Sequence, residues 1–288
     1  MPLPAGHSLA VGYDRNTAEK CYFCSAICYY EPYLSHMSLL ETFDLYNILF
    51  LDIETVPIVS DFEELSEEMQ ELWAIKARGI LRKTEEELQF DEIAETFRLR
   101  AGIYAEFGKI ICISAGFLTR QPGSTEPLLR LKSYANHIEA NLLEDFSELL
   151  NKHFSNPDKF AICGHNIKEF DIPYICRRIL VNQLPFPRML DIAGRKPWET
   201  KHLLDTMDMW KFGDNKNYTS LRLLAALFGF PSPKDDMDGS EVAGVYWEER
   251  DLDRIAAYCE KDVLATAQLF LKMKRHPVLR QDQVVIVR

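Results

Sequence analysis

Ile48-Leu49-Phe50-Leu51-Asp52-Ile53-Glu54-Thr55 begins as an apolar run and ends on two carboxylates. A run of that kind reads as a buried strand. In a strand, residues i and i+2 point to one face, so Asp52 and Glu54 are aimed together. Two carboxylates on a buried strand are costly unless something positive faces them. The candidate is a hard divalent cation, which takes oxygen ligands. The stretch alone also fits an ordinary strand end with solvated side chains, so the rest of the chain must decide.

Composition narrows the function classes. The chain has 288 residues, 47% of them hydrophobic and 27% charged, as in a soluble globular protein with a sizeable core. No apolar run approaches the roughly 20 residues of a membrane span. The N-terminus has no basic segment leading into an apolar one, so it does not read as a secretory signal, and a cytoplasmic protein is expected. The seven cysteines are odd in number and scattered, which fits free thiols. Cys112, Cys163, Cys176 and Cys259 lie in apolar or helical contexts and read as small buried hydrophobes. A net charge of −11 argues against coating duplex nucleic acid with the whole surface. It leaves room for a single strand end held in a locally basic groove.

Three segments follow from the pattern. Residues 1–45 lack clear periodicity and read as a poorly ordered N-terminal extension. Within it, Cys21, Cys24 and Cys28, with His7 or His36, form a weak zinc candidate that lacks a second ligand pair. Residues 46–276 read as one mixed-sheet α/β domain, with strands first and then helices alternating with strands. Residues 277–288 read as a tail. Strands are expected over 46–54, 108–117, 128–134, 160–163 and 203–206. Helices are expected over 61–77, 84–99, 138–154, 168–182, 220–228 and 251–274.

Three later side chains bear on the opening question. Asp171 follows a buried strand, near a helix start. Tyr258 and Asp262 are four residues apart on the last helix and share a face. Asp205, at the end of a short strand, is a weaker candidate that could hold a neighbouring element in place. Four converging carboxylates would repel one another and force some to keep protons. Two Mg²⁺ or Mn²⁺ ions about 4 Å apart remove that conflict, activating a water and stabilising the leaving oxygen. Zinc would want more His or Cys. Tyr258 could orient or partly deprotonate the attacking water. Taken singly, Tyr258 also fits a half-buried helix tyrosine and Asp262 a solvated carboxylate beside a lysine.

The set Asp52-x-Glu54, Asn166-x-x-x-Phe170-Asp171 and Tyr258-x-x-x-Asp262 resembles the three motifs of the DEDD exonuclease superfamily. A tyrosine four residues before the last aspartate resembles its DEDDy branch; the DEDDh branch has a histidine five before it, where this chain has Ala257. Tyr104-x-x-Phe107-Gly108-Lys109-Ile110-Ile111-Cys112-Ile113-Ser114 and Lys234-Asp235-Asp236-x-Asp238-Gly239-Ser240 more narrowly resemble bacterial predicted exonucleases related to the proofreading domain of family B DNA polymerases. The resemblance implies a ribonuclease H-like mixed β-sheet, its first three strands antiparallel, flanked by helices. It implies that Asp52, Glu54, Asp171 and Asp262 ligate the metals and that Tyr258 positions the water. It places Thr55, Asn166 and Phe170 around the terminal nucleotide.

The expected activity is metal-dependent 3′–5′ exonuclease cleavage of single-stranded DNA, releasing nucleoside 5′-monophosphates. An RNA 3′-end trimming enzyme and a non-catalytic nucleic-acid-binding module are the alternatives. The partner is nucleic acid with a free 3′ end. The 288 residues hold no polymerase domain, so a stand-alone enzyme, or one with a separate polymerase or DNA repair partner, is expected. Phosphate contacts are sought among Lys168, Arg177, Arg178, Lys211, Lys216, Arg222 and Lys234, with Lys234 first. His165 is expected to be a structural histidine beside the site.

Overall fold

The structure, a computed structural model, describes residues 39–120, 123, 126–214, 218–231 and 237–288. The extension up to residue 38 with its cysteine set, Lys216 and Lys234 lie outside the described residues.

The sheet grows outward from the opening stretch. β1 (Ile48–Pro57) pairs antiparallel with β2 (Gly108–Arg120), which pairs antiparallel with β3 (Pro127–Ala135). On its other edge β1 pairs parallel with β4 (Ala161–Gly164), and β4 with β5 (Leu203–Asp205). A last strand, β6 (Val284–Ile286), lies parallel to β3. The order is β5-β4-β1-β2-β3-β6. This is the expected mixed sheet with its first three strands antiparallel. β6 comes from the segment read as a tail.

The first half of β1, Ile48–Leu51, is apolar because both of its faces are covered, which is why its sequence shows a run rather than an alternation. Leu49, Leu51 and Ile53 face a core with α3 (Glu139–His153) and α4 (Asp171–Val181). Ile48 and Phe50 face the last helix, α8 (Leu252–Met273), at Val263, Ala267 and Phe270, and Val56 meets the same helix at Ile255 and Cys259. Asp52 and Glu54 therefore fall on the α8 side, between apolar neighbours.

The helices depart from expectation in places with local causes. Residues 61–77 split, because the Ser66 hydroxyl accepts from the Met69 N–H and starts α1 (Glu67–Leu81) afresh. The acidic turn 84–87 is held by the Glu87 carboxylate, which accepts from the Thr84 N–H and hydroxyl, so α2 begins later (Phe90–Arg100). A short α5 (Thr206–Lys211) follows β5, and α6 (Leu221–Phe228) ends at Gly229, whose φ of 71° closes the helix in the left-handed region. Between the helices expected over 220–228 and 251–274, where no element is expected, α7 (Val242–Gly244) runs into a π-helical turn at Val245–Glu249. Among the described residues no helix is long and apolar enough to cross a membrane.

One buried ion pair ties the layers together. Arg178 on α4 and Glu139 on α3 are 4% and 8% exposed and meet at 2.6 Å. Glu139 also accepts from the Ile110 N–H of β2 and from Asn182, and Arg178 donates to the Ala105 carbonyl. Arg178, sought as a phosphate contact, is thus a structural residue of the core.

Candidate active site

The carboxyl ends of the parallel strands β1, β4 and β5 open on one side, where ligands bind in open α/β sheets. A cleft of about 530 Å³ lies there. It is lined by Asp52, Glu54, Asn166, Phe170, Asp171, Tyr258 and Asp262, drawn from β1, the β4–α4 turn and α8.

Each side chain arrives for a local reason. Beyond Phe50, β4 no longer pairs with β1, so one edge of β1 is open. Asp171, the first residue of α4, fills that edge: its carboxylate accepts from the Ile53 N–H at 3.2 Å. This reaches across from the opposite sheet face to join Asp171 to Asp52 and Glu54. The turn leading to α4 passes through Asn166 at φ 66°, a left-handed conformation that asparagine tolerates.

Asp205 holds that turn. It is 1% exposed and accepts from the Asn166 N–H at 3.0 Å and the Lys168 N–H at 3.1 Å, while capping α5 through Met207 and Asp208. His165 uses both ring nitrogens, toward the Thr206 hydroxyl and the Thr219 carbonyl. It links this turn to the segment before α6 and has no ring nitrogen left for a ligand.

The electrostatics ask for positive charge. Burial, then Asp262, Asp171 and Glu54, push the Asp52 carboxyl well above its usual range. Burial pushes Asp171 up to about 7, opposed by backbone N–H donors and reinforced by Asp205 and Asp262. Burial and four carboxylates, Asp262 first, push the Tyr258 phenol far up, so it keeps its proton. The Asn166 side-chain oxygen, on the cleft wall, is buried without a hydrogen-bond partner. Clustered carboxylates with an unsatisfied amide oxygen fit hard divalent cations such as Mg²⁺ or Mn²⁺.

A family model described as a predicted 3′–5′ exonuclease related to the exonuclease domain of PolB matches residues 103–282. The chain belongs to this family. A search of curated proteins finds no match to the sequence. The protein is therefore a 3′–5′ exonuclease, a hydrolase acting on nucleic acid, with the ribonuclease H-like sheet described above. The matched residues include Asp171, Tyr258 and Asp262 but begin after β1. Pairing of β1 with β2 and β4 carries Asp52 and Glu54 to the same cleft as Asp171, Tyr258 and Asp262.

Not every sequence candidate gathers at the cleft. Thr55 follows a register shift between β1 and β2 and is absent from the cleft lining; its hydroxyl bonds toward Tyr174. Lys168 pairs with Asp208 and Lys211 with Glu169. Arg222 lines the cleft from the first turn of α6. Tyr218, Asp238 and Cys259 were not singled out for the site. Tyr218 lines the cleft from a loop whose spacing gives no signal, Asp238 lines it from the stretch quoted above for its resemblance but was given no role there, and Cys259 looked like core.

The carboxylate crowding predicts a pH-dependent response to cations. A carboxyl raised in the folded state stabilises below its unfolded value of 3.8, and that contribution is lost as pH rises through the folded value, about 7 for Asp171. Cation-free protein should therefore lose stability over this window. Scanning calorimetry should show Mg²⁺ or Mn²⁺ raising the melting temperature on the order of 5 °C near about pH 8, and far less near about pH 5. An equal gain at both pH values would mean the cations bind elsewhere.

Proposed function

We propose that this exonuclease removes nucleotides from the free 3′ end of single-stranded DNA with two Mg²⁺ or Mn²⁺ ions, releasing nucleoside 5′-monophosphates. The observation that carries this reading is the convergence of Asp52, Glu54, Asp171, Asp262 and Tyr258 on one cleft. The four carboxylates are the ligand set. When bound, the ions supply an activated water and neutralise charge on the phosphate and leaving oxygen.

The chain's own groups do the rest. Tyr258, at the cleft wall, orients the attacking water by hydrogen bonding through its phenol hydroxyl. Phe170 offers a face for the terminal sugar or base, and Asn166 presents its side-chain oxygen beside it. Arg222 is the phosphate contact best placed among the described residues, at the cleft wall; Lys234 remains a candidate from the sequence. Asp205 positions the Asn166 turn.

DNA is favoured over RNA by the family's relation to PolB. The same relation supports a role in DNA repair or replication editing, beside a separate polymerase.

Two experiments follow. Purified protein incubated with single-stranded DNA or RNA, with products resolved chromatographically, should release 5′-mononucleotides, faster from DNA. Faster release from RNA would make it an RNA-trimming enzyme, and release from neither would remove the catalytic reading. Tyr258→Phe should slow turnover roughly a hundredfold while leaving Mn²⁺ binding in place, as read by calorimetric titration. Unchanged turnover would take the phenol out of the mechanism.

A further inference from the structure

A second cavity, of about 440 Å³, lies on the sheet face opposite Asp52 and Glu54 and shares no lining residue with the cleft. Strand register sets its floor. Leu49, Phe117 and Arg130 are partners in one row across β1, β2 and β3, and Leu51, Ala115 and Lys132 form the next row. Partners in a row stand on one sheet face. Ala115 is the short side chain among long ones, and α3 ends at His153, so the space over the alanine is left unfilled. Leu49 and Ala115 beneath it are buried. One wall is a run of edge-to-face rings, Phe117 to Phe154 at 5.7 Å and Phe154 to Phe160 at 5.3 Å. The rim is basic: Arg130 and Lys132 are exposed, and His153 stands beside them. Among the described residues none of the three pairs with a carboxylate, in a chain of net charge −11. No carboxylate lines the cavity; beyond Tyr134 lie Asp145 and Glu148, the latter paired with Lys152.

We propose that this cavity binds a small amphipathic organic anion, whose apolar body fills the space over Ala115 and whose acidic group meets Arg130 and Lys132. Small-molecule sites have this make-up: a cavity of several hundred Å³, mostly apolar, with a few placed polar groups. The buried floor and ring wall take the body out of water. The rim cations supply charge-assisted hydrogen bonds, two of them in parallel from a guanidinium to a carboxylate, sulfonate or phosphate. A nucleic-acid strand fits less well, because strands track along open grooves and this space is a hole with a closed floor. The site stands apart from the exonuclease reading, since its residues and the carboxylates lie on opposite faces of the sheet.

The probe is 8-anilinonaphthalene-1-sulfonate, titrated into full-length protein in chelator. Its fluorescence should rise to saturation at a single dye per chain. N-phenyl-1-naphthylamine, the same rings without the sulfonate, should bind at least about tenfold more weakly, the worth of one hydrogen bond to a charged group. The double variant Arg130→Gln, Lys132→Gln changes only exposed side chains and should weaken sulfonate binding by about tenfold or more. Ala115→Leu fills the hole and should remove saturable binding; Leu149→Trp serves if circular dichroism shows that the leucine variant is misfolded. No saturable binding to wild type, or equal binding to wild type and to a folded cavity-filling variant, would overturn the site. Equal affinity for the uncharged dye, or for the double variant, would overturn the role of the cations. Displacement of the sulfonate by oligothymidylate would make the pocket a nucleic-acid surface and overturn the small-anion assignment.

Discussion

Asp52→Asn should lower exonuclease turnover at least about a thousandfold, equivalent to roughly 4 kcal/mol of barrier, while making the cation-free protein more stable. The two effects have one cause. Asp52 sits on a half-buried strand position with Asp262, Asp171 and Glu54 acting on it, and burial is the largest cost to its charge. The amide keeps the shape and still accepts from Cys259, but removes one charge from the cluster. The gain should be on the order of 1 kcal/mol near neutral pH, about the worth of one pKa unit. Asp171→Asn should behave alike in turnover, since its carboxylate fills the open edge of β1 at the Ile53 N–H. Steady-state kinetics on single-stranded DNA and calorimetry in chelator check both. A variant that loses activity and also loses stability in chelator would mean that the carboxylate is a structural group.

Arg178→Ala should destabilise the protein by about 3–5 kcal/mol, because it leaves the Glu139 carboxylate buried without its cation. Glu139 receives both arms of the guanidinium, the Ile110 N–H and the Asn182 amide, so its surroundings are built for a negative charge. The pair joins α3, α4, β2 and the turn at Ala105, and α4 carries Asp171 at its first position. Urea unfolding should show the loss. At low temperature, where the variant is folded, turnover should stay within a few-fold of wild type. Replacing both residues with apolar ones of similar volume should restore much of the stability. A large drop in turnover at unchanged stability would return Arg178 to the substrate side.

The sequence carried the site more fully than its surroundings. β1 announced itself because both faces are buried, and the carboxylates broke an otherwise apolar run. Asp171, Tyr258 and Asp262 were legible from spacing on a helix start and a helix face. Arg178 was misread although a signal existed: it follows Tyr174 by four and Ile175 by three, on the apolar stripe of α4. Thr55 was placed by motif, but the register shift after Glu54 turns it toward Tyr174. The π-helical turn at Val245–Glu249 was hidden behind a Pro- and Gly-containing stretch. β6 is three residues long, too short for periodicity to report. Cys259 was read correctly as buried; its approach to Asp52 exists only once β1 and α8 have packed.

The most direct test is to give the protein a 5′-labelled single-stranded DNA with its 3′ end either free or chemically blocked, in Mg²⁺ or in chelator. A cation-fed carboxylate site that works inward from a terminus predicts a ladder shortening stepwise from the free 3′ end, present in Mg²⁺ and absent in chelator or with the blocked end. Internal cleavage, shortening that persists in chelator, or no product from the free end in Mg²⁺ would contradict it.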